Sequence, residues 1–470
     1  MSAPELKVQD LAVKDGKGNW LVQPCSFTLK PGVALSIIGG SGSGKSLLVQ
    51  AIMGSLASGL RASGEIRLGN AVSRAEDASG RRPWWGHTLA MLPQEPWLAL
   101  NPSMRAGKQV AESYHYVSNT RMGMAQAKMQ ASADLNQLGV AAASEKYPFM
   151  LSGGMAQRVA FAATRAGGAQ VVIVDEPTKG LDADARDNLL TVLQTVLKQG
   201  GSVLTITHDM HVARMLGGNV MVMRDSNVLE QGTAEQVLEN PQHEYTRALL
   251  AADPENWTQA MPAPGTGQQI LEARGLGKRY GKQTLFSGIN LEIHAGERIA
   301  ISGPSGAGKT TLGNMLLGLV APDQGSIALA PGLDKLKLQK LYQDPVSAFA
   351  PRLTLKQAFD DLIRLHKLNP SALPPMLARL KLDEGLLRRL PSQVSGGELQ
   401  RLALARILLL SPALIFADEP TSRLDPISQQ DTMNLLLETV AENASAILLV
   451  THDRELAAKT MQRHIAIQHA

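Results

Sequence analysis

The sequence predicts an α/β fold of two tandem domains, each with a mostly parallel sheet core and an inserted helical lobe. Two observations carry this. Four short motifs occur twice in one order: GGSGSGKS (39–46) and GPSGAGKT (303–310), LSGGMAQR (151–158) and VSGGELQR (394–401), VVIVDEPT (171–178) and LIFADEPT (414–421), TITHD (205–209) and LVTHD (449–453). The period is too long for a solenoid and marks two copies of one domain. Within each copy, short apolar runs alternate with amphipathic helical stretches, the pattern of a parallel sheet covered on both faces.

Taken in order, residues 1–252 form the first domain, with its helical lobe at about 95–157. VALSII (33–38) reads as a buried strand running into glycines, and SLLVQAIM then sets Leu47, Leu48, Ala51 and Ile52 on one helical face. Lys45 to Gln94 is a longer span than Lys309 to Gln343, so the first copy carries an insertion. NAVSRAEDASGRRPWW is its expected place, as a surface loop. VVIV reads as a buried strand, and Leu189, Leu190, Leu193, Val196 and Leu197 mark the helix after it. Residues 253–269 are polar and rich in Pro and Gly, a linker. The second domain, 270–470, repeats the plan with RIAIS, a helix bearing Leu312, Met315, Leu316 and Leu319, a lobe at about 345–400, the strand LIFA, and a helix bearing Met433, Leu436, Leu437 and Val440.

Composition excludes several classes. The 470 residues are 44% hydrophobic and 19% charged, with 46 basic and 42 acidic residues and no basic block of the kind that binds nucleic acid. The one cysteine, Cys25, rules out an intramolecular disulfide and a cysteine-built zinc or iron–sulfur site within one chain, and fits a reducing compartment. No basic-then-apolar signal pattern opens MSAPELKVQD, and no apolar run approaches the roughly 20 residues of a spanning helix. A membrane role must come through a partner.

The two glycine loops match G-x-x-x-x-G-K-[ST], so both domains read as P-loop NTPases. In the first, Gly39, Gly40, Ser41, Gly42, Ser43 and Gly44 cradle phosphate oxygens, Lys45 reaches the β- and γ-phosphates, and Ser46 ligates Mg²⁺. In the second, Gly303, Pro304, Ser305, Gly306, Ala307 and Gly308 form the cradle, Lys309 is the lysine, Thr310 the metal ligand, and Thr311 follows it. The helix N-terminus behind each loop adds its positive end. Asp175 and Asp418 end apolar strands, where they hold Mg²⁺ through water. Glu176 and Glu419 beside them polarise the attacking water. His208 and His452 recur at matched spacing as γ-phosphate contacts, and Gln94 and Gln343 as Mg²⁺ or water contacts. Ser152, Gly153 and Gly154, like Ser395, Gly396 and Gly397, open a helix with an anion-binding turn that lies in sequence behind the lobe, away from its own loop. With two copies, each such turn is expected to close on the nucleotide held by the other half.

LSGGMAQR and VSGGELQR resemble the signature of ATP-binding cassette (ABC) ATPases. The resemblance covers almost the whole chain in family order, Walker A, Q-loop, signature, Walker B, D-loop and H-loop. It implies ATP and Mg²⁺ as cofactors, hydrolysis of ATP to ADP and phosphate, an intramolecular cassette dimer with two composite sites, and docking on transmembrane subunits. In this family an aromatic residue stacks on adenine; Tyr280 in GKRYGK fits in the second copy. The first copy has VKDGKGNW, with Asp15 or Gly16 at the equivalent place and Trp20 as the alternative. The D-loops KGLD and SRLD keep Asp182 and Asp425 but carry Lys179 and Arg423 where small residues are common.

YPFMLSGGMAQR and PQHEYTRALL resemble the first ATPase of dipeptide, oligopeptide and nickel importers, and YQDPVSAFAPRLT the second. This implies two permease subunits, a solute-binding protein, and a peripheral place on the cytoplasmic face of the bacterial inner membrane. The cysteine cluster of many peptide importers is absent, which leans towards nickel or metal-chelate cargo. The alternatives are an exporter ATPase and a soluble double cassette acting on ribosome or DNA; the short linker without heptads speaks against the latter.

Overall fold

The computed structural model describes residues 3–93, 99–117, 122–178, 181, 183–258, 267–281, 283–304, 306–422 and 424–467. The chain divides into two compact units, Met1–Ala251 and Ala252–Ala470.

The first unit has two sheets. β1 (Leu6–Lys14), β2 (Trp20–Leu29), β4 (Arg61–Leu68) and β5 (Ala71–Arg74) form an antiparallel sheet in the order β2-β1-β4-β5. The core sheet runs β10-β9-β3-β8-β7-β6, from β3 (Ala34–Gly39), β6 (Leu89–Leu92), β7 (Val171–Asp175), β8 (Ser202–Ile206), β9 (Asn219–Arg224) and β10 (Asn227–Thr233). All its pairings are parallel except β10 on β9. β3, β7 and β8 are buried at every residue, which is why they read as near-continuous apolar runs rather than alternating ones.

Helix α1 (Lys45–Met53) lies between the sheets: Leu48, Ala51 and Ile52 are fully buried in one cluster with Leu6 and Leu11 of the antiparallel sheet and Leu35 and Ile37 of β3. Truncating one such leucine costs about 2–5 kcal/mol. The lobe contributes α2 (Ala106–Glu112), α3 (Met124–Gln137) and the start of α4 (Gly153–Ala166); α5 (Ala183–Lys198), α6 (Met210–Leu216), α7 (Ala234–Glu239) and α8 (Glu244–Ala251) follow.

The second unit repeats the plan. β11 (Gln269–Tyr280), β12 (Gln283–His294) and β14 (Gln324–Leu329) form the antiparallel sheet. β13 (Arg298–Ser302), β15 (Leu338–Leu341), β16 (Leu414–Asp418), β17 (Ala446–Val450) and β18 (Arg463–Ala466) form an all-parallel core in the order β15-β16-β17-β13-β18. Its helices are α9 (Lys309–Leu316), α10 (Leu355–His366), α11 (Leu373–Arg379), α12 (Gly396–Leu408), α13 (Pro426–Glu442) and α14 (Arg454–Thr460). A Cβ on Gly313 of α9 would lie 2.1 Å from the Phe416 ring, so this helix packs on β16 through a bare backbone.

Three expectations need correction. The inserted stretch 70–85 is not a mere surface loop: it adds β5 to the sheet, buries Trp84, and buries Arg81. The two terminal nitrogens of the Arg81 guanidinium donate to Ser73 Oγ, Arg74 O and Ala75 O, while its buried Nε has no hydrogen-bond partner among the described residues. Leu319 is 62% exposed, because α9 ends at Leu316. The expected linker begins inside the second unit: Pro254–Asn256 form a 3₁₀ turn, and Trp257 is buried in that unit's core with Nε1 donating to Ala252 O at 2.9 Å. No helix among the described residues is long and apolar enough to cross a membrane.

Candidate nucleotide sites

Parallel pairing brings distant motifs to one edge. In the first unit Gly39 at the end of β3 pairs with Met223, and Ile37 and Asp175 both pair with Ile206. The phosphate loop, the Asp175–Glu176 pair and His208 therefore leave the sheet at the same C-terminal side, where such sheets bind ligands. In the second unit Ile301 and Asp418 both pair with Val450, two residues before His452.

The two loops share their backbone. Gly39 and Gly303 have φ 151° and 149°, and a Cβ there would lie 2.0 Å from Met223 O and 2.4 Å from Ile467 O. Only glycine fits so close to the neighbouring strand. Gly44 and Gly308 cap α1 and α9 in the left-handed region, at φ 96° and 93°. Both lysines fold over their loops: Lys45 Nζ donates to Gly39 O (2.8 Å), Gly40 O (2.7 Å) and Ser43 Oγ (3.1 Å), and Lys309 Nζ to Gly303 O (2.9 Å) and Pro304 O (3.0 Å). Each ammonium is thus poised above an anion cradle and can trade carbonyls for phosphate oxygens.

The carboxylates recur with equal fidelity. Glu176 and Glu419 hold φ 50° and 45°, unusual for a non-glycine residue and costing about 1–3 kcal/mol each. Their N–H groups donate to Ile206 O (2.8 Å) and Val450 O (2.9 Å) of the adjacent strand, which holds the strain in place. The turn aims each carboxylate at its histidine: His208 Nδ1 lies 2.6 Å from Glu176 Oε2, and His452 Nε2 2.9 Å from Glu419 Oε1. Gln343 Nε2 donates to Glu419 Oε2 at 2.7 Å, so carboxylate, imidazole and amide form one constellation. Such a group can orient a water and receive its proton. Thr310 Oγ1 donates to Asp418 Oδ1 at 3.1 Å. Hydroxyl, carboxylate and amide oxygens are hard donors of the kind Mg²⁺ takes.

Sequence reading missed two groups. Lys340 of β15 has its Nζ 3.4 Å from Asp418 Oδ2 and donates to Asn314 Oδ1 at 2.9 Å. Burial pushes the Asp418 carboxyl above the usual carboxylate range, and the Lys340 charge pulls against it. Tyr245 of α8 accepts the Gly40 N–H at 2.9 Å. Both contacts are long-range, and no local motif announces them.

The signature turns cap helices as expected. Ser152 and Ser395, both exposed, accept the N–H of Met155 and Glu398. Ser395 completes a capping box, its N–H and hydroxyl both donating to Glu398 Oε2, at 3.0 and 2.6 Å. Tyr280 is 55% exposed at the end of β11. Trp20 occupies the corresponding hairpin end of the first unit, 41% exposed, in register with Lys14, whose Nζ lies 3.8 Å over its ring. Asp15 instead closes the hairpin turn, accepting the N–H groups of Lys17 and Asn19. Gln94, Ser305 and the D-loop residues Lys179, Asp182 and Arg423 lie outside the described residues.

This edge, built twice, is that of a nucleoside-triphosphate hydrolase. Residues 22–179 and 286–422 match the ABC transporter family, and the chain belongs to it, as a tandem double cassette with ABC-type ATPase activity coupled to transport. Among its relatives are the peptidoglycan transport ATP-binding protein YejF of Agrobacterium fabrum, 31% identical over 99% of this chain and 91% of that protein, and the glutathione import ATP-binding protein GsiA of Escherichia coli K12, 33% identical over 94% and 81%. A solved structure of an RNase-L Inhibitor aligns at TM-score 0.65 over 93% of this chain and 84% of that one; at 22% identity it shares the fold alone.

Proposed function

We propose that the chain is the energy-coupling ATPase of a binding-protein-dependent importer for a short peptide or peptide-like solute. The observation that supports this is similarity along 94–99% of the chain to double-cassette proteins named for glutathione import and peptidoglycan transport. Both cargoes contain peptide, which favours this class over the nickel or metal chelate suggested by the missing cysteine cluster. Two permease subunits and a solute-binding protein complete the assembly, and the chain sits peripherally on the inner face of the bacterial membrane.

In this reading Lys45 and Lys309 hold the β- and γ-phosphates of ATP, and Tyr280 and Trp20 carry adenine. Ser46 with Asp175, and Thr310 with Asp418 and Gln343, hold Mg²⁺, which supplies charge neutralisation. Glu176 and Glu419 receive the proton of the attacking water, and His208 and His452 fix the carboxylates and meet the γ-phosphate. The motif duplication further suggests that Ser152–Gly154 serve the nucleotide on the Lys309 loop, and Ser395–Gly397 the one on the Lys45 loop. Ser152→Arg should then lower nucleotide trapping on the Lys309 loop and spare the other; the reverse pattern contradicts the exchange.

The importer reading is tested by deletion and recovery. A strain without this chain should lose uptake of labelled glutathione or dipeptide and keep uptake of nickel, and the tagged chain should recover two integral membrane subunits. Loss of nickel uptake alone would move the cargo to metal. Recovery of ribosomes in place of permeases would favour the soluble alternative.

A further inference from the structure

The first phosphate loop is held from outside by a side chain far along its own unit. Gly40 donates its N–H to Tyr245 Oη at 2.9 Å. Tyr245 is buried, and the Arg224 guanidinium lies 4.8 Å from its ring centroid. Its place is fixed by a relay of bonds. Glu230 of β10 accepts the N–H of Gln242 (2.8 Å) and of His243 (3.1 Å), and His243 Nδ1 accepts that of Tyr245 (3.0 Å). Thr246 and Leu249 anchor the same helix, both fully buried. The strand that carries β10 is β9, whose Met223 abuts Gly39.

The second loop has a different solution at this position. The residue equivalent to Gly40 is Pro304, which has no N–H to offer and a φ locked by its ring. Glycine is the residue with the most backbone freedom to lose. One loop is therefore stiffened covalently and the other must be stiffened by a contact.

We propose that Tyr245 is a positioning residue for the first nucleotide site: its hydroxyl takes the Gly40 N–H and holds the phosphate loop in its binding shape, the task the Pro304 ring performs in the second. The inference rests on the reading of 39–46 as a nucleotide loop. It makes the PQHEYTRALL segment, residues 241–250, part of the first site's machinery, and gives the two sites different dependence on it.

The test uses the full chain with one loop silenced at a time. In a Lys309→Ala background, which leaves the first loop to be read, Tyr245→Phe should weaken binding of a fluorescent ATP analogue about three- to tenfold, the scale of one buried hydrogen bond. Hydrogen–deuterium exchange of the peptide containing Gly40 should speed up in the same protein. In a Lys45→Ala background, Tyr245→Phe should leave binding on the second loop unchanged. Unaltered affinity and exchange in the first background overturn the proposal, as does equal weakening in both, which would mark a general folding defect. Undiminished nucleotide binding after both lysines are replaced would instead overturn the loop reading itself.

Discussion

In the first unit Met91 stands in register with Ile173, two residues before Asp175; in the second the same place is Lys340, beside Phe416, with its ammonium 3.4 Å from Asp418. Around this difference the two units carry matching groups. Each unit holds a glutamate at positive φ, a histidine within 3 Å of it, and a lysine folded on its own loop carbonyls. The two units agree in these groups and differ in the residues packed behind them. The second has a fixed cation beside its aspartate and a proline in its loop. The first is braced by Tyr245, and its aromatic residue at the hairpin end is Trp20, opening β2 opposite Lys14, whereas in the second it is Tyr280, closing β11 opposite Gln283.

The shared chemistry is the first thing to break. Glu176→Gln together with Glu419→Gln should lower steady-state ATP turnover roughly 10²–10⁴-fold, the range for losing a general base, while nucleotide binding persists. Turnover at the parent rate would remove both glutamates from the mechanism. Either single variant reports how far one site sustains the other.

The difference at Lys340 is the smaller effect. A fixed ammonium near Asp418 would compete with a divalent cation held by the same carboxylate. Lys340→Met should therefore tighten Mn²⁺ binding at the nucleotide-loaded second site, read by electron paramagnetic resonance, by on the order of tenfold. Met91→Lys should loosen it at the first. If neither substitution moves the Mn²⁺ titration, the Lys340 contact does not reach the metal side of Asp418.

Most of both sites was legible because their parts are local. A glycine loop after an apolar strand, or two carboxylates ending one, is written in consecutive residues, and parallel topology then carries each to the same edge. What escaped depends on pairings remote in sequence. Gly40 and Tyr245 are 205 residues apart, and Lys340 and Asp418 meet across two strands. The antiparallel sheets were also missed: strands such as β1 and β11 contain irregular registers that blur the two-residue alternation. Arg81 looked like a loop residue because its partners are carbonyls supplied by the turn around it. Trp257 lay in a Pro/Gly-rich stretch whose composition hid one anchoring side chain.

Counting nucleotide is the most direct test that this chain carries two complete sites. Cys25 is buried, its thiol pushed up to about 11 by desolvation, so fluorophores on engineered cysteines would meet no reactive background. The Glu176→Gln, Glu419→Gln chain, saturated with ATP and Mg²⁺ and weighed by native mass spectrometry, should retain two nucleotides. Adding Lys45→Ala or Lys309→Ala should each leave one. A single nucleotide on the parent double variant, lost with one lysine and indifferent to the other, would contradict the account.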